Sequence, residues 1–331
     1  MKKYILIIIT TLISSCYILK SSEPCEYPIF DYNHFDLTRI VPVGHAQLKN
    51  DIIYLTENYN NQSGSAWKNS PVDITSGFTS TFTFEFRNGD NRLNYDGSLE
   101  GGDGVAFVIA GEPFGVGTYG AGIGYSGLKK AVAIEFDTYR NNVETVDPNG
   151  NHAAFQIPDE TGNVTSKHSP ETTLAMNDKL MIMKDFVKYK VKVEYSAKDK
   201  KVVVYFDTLD IPLKICLEVN NIDLSKYLAN PKACFVGITG GTGVAVANQY
   251  LHSWQFCQRA IPTSINDLES NQFNSLIEYD EVSVYNEIGE RVYYSNNTSL
   301  DLIHKFLPKN KALFVYSTNQ GKFNFEKIII E

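Results

Sequence analysis

The stretch Ala131–His152, AVAIEFDTYRNNVETVDPNGNH, decides how the rest of the chain is read. It opens as a strand: Val132, Ile134 and Phe136 alternate with Glu135, Asp137 and Tyr139. Successive side chains of an extended chain point to opposite faces, so the apolar residues share one face and the two carboxylates the other. The acidic face runs on through Asn141, and Asp147 and His152 follow in a loop rich in Asn, Asp, Gly and Pro. Carboxylates, an amide oxygen and an imidazole that converge on one spot repel each other unless a cation sits between them. The stretch therefore reads as a metal site. Glu135 and Asp137 alone would suit a solvated strand face; Asn141, Asp147 and His152 behind them favour the metal.

The 331 residues allow one large domain or two. The surplus of Tyr and Phe, 20 and 19 residues, favours strands. A net charge of -8 at pH 7 argues against nucleic acid as a partner. Residues 1–20 read as an export signal: Lys2 and Lys3 precede an apolar run, Tyr4 to Leu19, broken by Thr10, Thr11, Ser14 and Ser15. The run is short for a membrane span, which needs about 20 apolar residues. Leu12-Ile-Ser-Ser-Cys16 resembles a lipoprotein cleavage box, so a plain signal peptide and an acylated Cys16 both stay open. Such a chain is expected to be secreted or held at the cell surface, the outer membrane. Setting Cys16 aside leaves Cys25, Cys216, Cys234 and Cys257, an even number that suits disulfides in an exported protein.

From Phe30 to Gln258 short alternating or apolar runs are separated by Gly, Asn and Asp turns, as in Phe78–Phe86, Val105–Ile109, Tyr189–Tyr195 and Phe235–Ile238. This is an all-β pattern of the sandwich or jelly-roll kind. Residues 259–270 turn polar and read as a linker. Residues 271–331 carry a separate small β pattern. Two hairpins are expected there, Glu281–Tyr285 with Glu290–Tyr294 and Ala312–Ser317 with Phe323–Ile330.

Several motifs in one order carry a resemblance to the L-type, legume-lectin-like lectins, in their bacterial branch. They are Gln62-Ser-Gly-Ser-Ala-Trp67, Gly101-Gly-Asp-Gly-Val-Ala-Phe-Val-Ile-Ala110, Gly120-Ala-Gly-Ile-Gly-Tyr-Ser-Gly127, the opening stretch, Phe235-Val-Gly-Ile-Thr-Gly-Gly-Thr-Gly243 and Ser253-Trp-Gln-Phe256. The resemblance implies a concanavalin-like jelly-roll β-sandwich over residues 21–258 and a protein that binds glycans without catalysis. It implies calcium held by Asp137, Asn141, Asp147 and the Tyr139 carbonyl, since a hard cation selects oxygen ligands. It also implies a neighbouring transition ion, manganese in the family, held by Glu135, Asp137, Asp147 and His152. Sugar contacts are expected from Asp103, Tyr139, Asn141, Gly241 and Thr242, and from a backbone NH of the Gly120–Gly122 turn, at Gly122 or Ala121. The family's cis peptide is expected at Gly102-Asp103. Trp67 and Trp254 read as core anchors. His34, His45, His168, His252 and His304 have no partners at metal spacing and read as surface or core residues. In such a fold the terminal strands lie side by side, which implies a Cys25–Cys257 disulfide and leaves Cys216 with Cys234.

The tail resembles the C-terminal sorting domain of bacterial type IX secretion substrates, in Val284-Tyr-Asn-Glu-Ile-Gly-Glu-Arg-Val292, Leu307-Pro308 and Glu326-Lys-Ile-Ile-Ile330. That resemblance implies a small C-terminal β-sandwich and the secretion machinery as a partner. Two other functions compete. The same sandwich hosts glycoside hydrolases, whose acid and nucleophile lie about 5 Å apart in retaining enzymes. Glu135-Phe-Asp137 is followed by Thr138, Tyr139 and Arg140, so the second glutamate is missing, and Glu144 is too far along to share the strand face. A structural adhesin would keep the sandwich without the metal ligands.

Overall fold

The structure is a computed structural model that describes residues 28–90, 92–93, 99–183 and 185–258, and in the tail the strands Glu278–Tyr285, Arg291–Ser299, Ala312–Asn319 and Lys322–Ile329. Two antiparallel sheets face each other. The front sheet has seven strands in the order Thr173–Asn177, His152–Gln156, Ala131–Asp137, Gly104–Ala110, Phe235–Gly241, Ser63–Lys68 and Ile40–Gly44. The back sheet has eight: Lys214–Asn220, Lys201–Thr208, Lys188–Ser196, Gly77–Arg87, Asn248–Gln258, Ile52–Thr56 and Gln47–Lys49, with Pro28–Tyr32 also paired to Asn248–Gln258. Sequence neighbours are repeatedly separated across the two sheets, the jelly-roll arrangement expected from the spacing of the strands. Asp223 to Leu228 contributes the short helical turn Leu224–Lys226, capped by the Asp223 side chain, which accepts from the Ser225 amide.

Alternation explains the core. In Lys188–Ser196, Tyr189, Val191, Val193 and Tyr195 point inward and the residues between them do not. From the front sheet Val132, Ile134 and Phe136 meet them, with Phe107, Phe155 and Ile238. Phe136 is wholly buried and stacks on Phe206 at 5.2 Å between ring centres, with Phe84 at 5.8 Å. Trp254 lies in this core; Trp67 does not. Trp67 belongs to a second apolar cluster on the far side of the front sheet, with Ala106, Val108, Ala131, Ala133, Ile123, Tyr125 and Val164. The small residues let the Gly117–Leu128 loop settle against the sheet, and Gly237 has to lack a side chain because a Cβ would lie 2.6 Å from the indole. The Ala131–Asp137 strand is consequently buried on both faces. Its acidic side, which alternation alone would leave wet, lies under a loop.

The terminal strands do lie side by side, with Pro28 opposite Cys257. Cys257 is not among the free cysteines; Cys25, its expected partner, lies outside the described residues, as do Cys16, the export signal and the linker. The expected Cys216–Cys234 disulfide is not formed: both thiols are free. Cys216 sits on the edge strand of the back sheet, near Asn177, whereas Cys234 leads into the front sheet, paired with Val72 and donating from Sγ to the Asn230 carbonyl. Pairing by elimination failed because the two belong to opposite sheets, and disulfide geometry needs Cα atoms within about 7 Å. Burial pushes both thiols up to about 12.

The described tail strands form one antiparallel sheet in the order Arg291–Ser299, Glu278–Tyr285, Ala312–Asn319, Lys322–Ile329, which contains both expected hairpins. A second sheet that would make it a sandwich is not found among the described residues.

Truncating Phe136 to alanine should cost about 3–5 kcal/mol, since it empties the layer on which the acidic strand rests. Urea unfolding of the variant and the parent chain measures this; a loss under about 1 kcal/mol would mean that the Phe136 side of the strand is not the packed face.

Candidate functional site

Strand pairing assembles the site from segments far apart in sequence. Asp137 ends its strand opposite Gly104 on one side and His152 on the other. That register sets Asp103, one residue before Gly104, at the same end of the sheet as Asp137 and His152. The loop after Asp137 folds back on itself. The Tyr139 amide donates to Asp137 Oδ1 at 2.7 Å, the Asn141 amide to Asp147 Oδ2 at 2.6 Å, and the Thr145 hydroxyl to the Asn141 carbonyl at 2.8 Å. The first two tie the carboxylate of one candidate ligand to the backbone of another, and the third anchors the Asn141 backbone to Thr145.

The result is a cluster of buried charge. Glu135 is 1%, Asp137 3%, Asp147 5% and His152 0% exposed. Two ligand triads have their atoms within 4.8 Å of one another: Asp137, Asp147 and His152, and Glu135, His152 and His168. Burial, with the neighbouring carboxylate Asp147, pushes Glu135 up to about 7, although His168 and the Tyr125 hydroxyl oppose the rise. Asp137 is raised further, by burial and then by Asp147 and Glu135. Burial takes His152 down to about 4 against the pull of Asp147, so its imidazole is neutral and has a lone pair to give. Asn141 Oδ1 is buried and accepts no hydrogen bond. Three carboxylates, a neutral imidazole and an unsatisfied amide oxygen, all withdrawn from water, fit divalent cations: oxygen ligands for a hard ion, mixed nitrogen and oxygen for a softer one.

The other wall is built on Asp103. The Gly102-Asp103 peptide is cis. Its surroundings hold it on every side. The buried Gln249 amide donates to the Gly102 carbonyl at 3.0 Å and to the Gly241 carbonyl at 2.7 Å. The Asp103 amide donates to the same Gly241 carbonyl at 2.7 Å, and the Thr138 amide donates to the Asp103 carbonyl at 2.8 Å. Thr138 directly follows Asp137, so the Asp103 loop and the cation cluster share one piece of backbone. Gly243 lies so close that a Cβ there would be 2.9 Å from Asp103 Oδ2. Tyr139, half-buried, stands beside Gly102.

The structure thus brings Glu135, Asp137, Asn141, Asp147 and His152 together and sets Asp103, Tyr139 and Gly241 beside them. Gly122 stands against Thr118 and Ser126, and its amide donates to the Tyr119 carbonyl at 3.2 Å; Gly120, next to Gly243, lies nearer the Asp103 wall. Thr242 is fully buried. Its hydroxyl donates to the Tyr59 carbonyl at 2.6 Å and accepts from the Gln62 amide at 2.9 Å, which ties the Glu57–Gln62 turn to the Asp103 wall.

Three participants were missed. His168 does have metal-spaced partners: its Nε2 is 3.0 Å from His152 Nε2 and 3.3 Å from both Glu135 Oε1 and Asp147 Oδ1. It arrives on a loop whose register only the fold sets, through a hydrogen bond from the His168 amide to the Thr145 carbonyl at 2.8 Å. Burial disfavours its charge, but Asp147 and Glu135 outweigh that and raise it. Gln249, which secures the cis peptide, and Tyr125, whose hydroxyl donates to Glu135, also carry no local signal. Tyr125 lies within the quoted glycine-rich motif, where its full burial beside an acid could not be foreseen.

The model of the legume lectin β-barrel domain matches residues 32–254. The chain belongs to the L-type lectins. An L-type lectin-domain containing receptor kinase of Arabidopsis thaliana, V.9, is 28% identical over 204 residues, 57% of this chain and 28% of that protein. The chain therefore spans under a third of that relative. Among solved structures, the exoplasmic/lumenal domain of VIP36 in its Ca2+/Man3GlcNAc-bound form superposes with a TM-score of 0.56 at 18% identity, over 72% of this chain and 92% of that one. The Bauhinia forficata lectin in complex with GalNAc gives 0.54 at 24% identity, over 69% and 96%. These likenesses establish the lectin sandwich.

Chelation offers a direct test of the cation fit. Because a ligand that binds only the folded state stabilises it by mass action, calcium with a first-row divalent ion at about 100 times Kd should add about 2.7 kcal/mol per site. Thermal unfolding in EDTA and after re-addition reads this; identical midpoints would show that the cluster holds no cation.

Proposed function

We propose that this L-type lectin domain is a carbohydrate-binding protein that holds glycans without chemistry, in a site organised by calcium and a neighbouring transition ion. One observation carries the reading: the Asp103 carbonyl accepts from the Thr138 amide at 2.8 Å, on the same backbone that presents Asp137, Asn141 and Asp147. Cations that neutralise the acidic cluster would hold Asn141 and Asp103 in place. Asp103 would accept from two sugar hydroxyls, Asn141 would donate from its amide nitrogen, and Tyr139 would stack on an apolar sugar face. The VIP36 domain, bound to calcium and Man3GlcNAc, and the Bauhinia forficata lectin, in complex with GalNAc, support a glycan as the ligand class.

Hydrolysis is the weaker reading. The two carboxylates of the strand, Glu135 and Asp137, are buried, and no second glutamate follows on the strand. Around this core we also propose export by the N-terminal signal, a Cys25–Cys257 disulfide joining the paired terminal strands, and sorting to the cell surface by the tail.

Glycan-array binding with and without EDTA tests the site. Chelation and Asp103→Ala should each abolish binding, and the variant should keep its unfolding midpoint within a few degrees. Chelator-resistant binding would defeat the mechanism. For the tail, residues 260–331 fused to a reporter should direct surface delivery in a type IX-competent host; a reporter left inside the cell envelope would count against it.

A further inference from the structure

His168 is the part of the site that the lectin reading does not account for. It sits outside the Ala131–His152 stretch, on a different loop, with a side chain only 6% exposed. Three atoms able to accept a proton or bind a metal surround its Nε2: His152 Nε2 at 3.0 Å, Glu135 Oε1 at 3.3 Å and Asp147 Oδ1 at 3.3 Å. His152 Nε2 is in turn 3.8 Å from Glu135 Oε1. One imidazole N–H can serve one of three acceptors. A cation in their midst serves all of them. The three spacings to His168 Nε2 agree: ligands about 2.0–2.1 Å from a metal are roughly 2.8–3.4 Å apart at octahedral or tetrahedral angles.

The surroundings of the ring suit that role. Its Nδ1 is 2.9 Å from the Gln156 side-chain amide and 3.4 Å from the Thr173 hydroxyl. The atom facing Nδ1 is Gln156 Nε2, which also donates to Glu135 Oε1 at 3.3 Å; with a cation on Glu135 and the amide turned over, Gln156 would offer its oxygen to Nδ1–H, the outer contact that fixes a metal-bound histidine with Nε2 free to coordinate. The backbone is anchored as well, through Thr145. A second imidazole changes the chemistry. Carboxylates suit manganese and calcium, whereas imidazole favours zinc, nickel, copper and, by the same order of affinities, cobalt over manganese.

We propose that His168 is a direct protein ligand of the transition ion, together with Glu135, Asp147 and His152, so that this lectin has a two-imidazole centre selecting zinc- or cobalt-like ions over manganese. The proposal rests on the cation-dependent reading above and names the ion class for its softer site.

The test uses the full chain, stripped of metal and saturated with calcium, then titrated with Co2+ alone and with Mn2+ alone. The parent should bind one Co2+ at least about tenfold more tightly than Mn2+. Its Co2+ form should show two exchangeable, paramagnetically shifted imidazole N–H signals in the proton spectrum. His168→Gln should lose about tenfold or more in Co2+ affinity, lose one of the two signals, and change little toward Mn2+. A single imidazole signal in the parent, or equal Co2+ affinity in H168Q, would overturn the assignment while leaving the lectin reading intact. Failure of the parent to bind any transition ion would instead defeat the cation-dependent reading itself. Because the signal count is made on the parent, the test decides even if H168Q does not fold.

Discussion

Mutual repulsion among buried carboxylates governs this molecule. Glu135, Asp137 and Asp147 are withdrawn from water within one small volume, and burial raises the first two in their proton affinity. Charges in such surroundings have to be neutralised by protons or by cations. Cations would do so while leaving the oxygens fixed in direction, and the backbone hydrogen bonds from Tyr139 and Asn141 to Asp137 and Asp147 would transmit that fixity to the loop.

The fold serves this arrangement from both sides. Behind the acidic strand, Phe136 and its ring partners close the sandwich. In front of it, Ile123, Tyr125 and Val164 cover a face that a plain sandwich would leave to solvent. The covering loop begins beside the Asp103 wall, with the Gly120 amide donating to the Thr242 carbonyl at 3.0 Å. Desolvation of the acids and construction of the ligand wall are therefore done by the same segment. Gln249 adds the last constraint, one amide group bridging the Gly102 and Gly241 carbonyls.

Much of this is legible in the sequence. Alternation in Lys188–Ser196 and Gly77–Arg87 states which residues face inward, because a strand has a side-chain period of two. The candidate ligands Glu135, Asp137, Asn141, Asp147 and His152 were readable together because they lie within one local segment and strand-plus-loop geometry carries them to one place. That Cys216 and Cys234 stay unpaired was not readable. Elimination counts cysteines but holds no information on distance, and the two belong to opposite sheets.

By itself, then, the sequence determined the all-β class, the inward faces of the strands and the local acidic ligand set, since each depends on residues close together along the chain. Only the tertiary structure decided that the acidic face is buried, that Asp103 shares backbone hydrogen bonds with Thr138, and that His168 joins the cluster. Those outcomes depend on how the Gly117–Leu128 and 158–172 loops pack across the front sheet. Contact between segments so distant is set by the register of whole strands, which no short motif encodes.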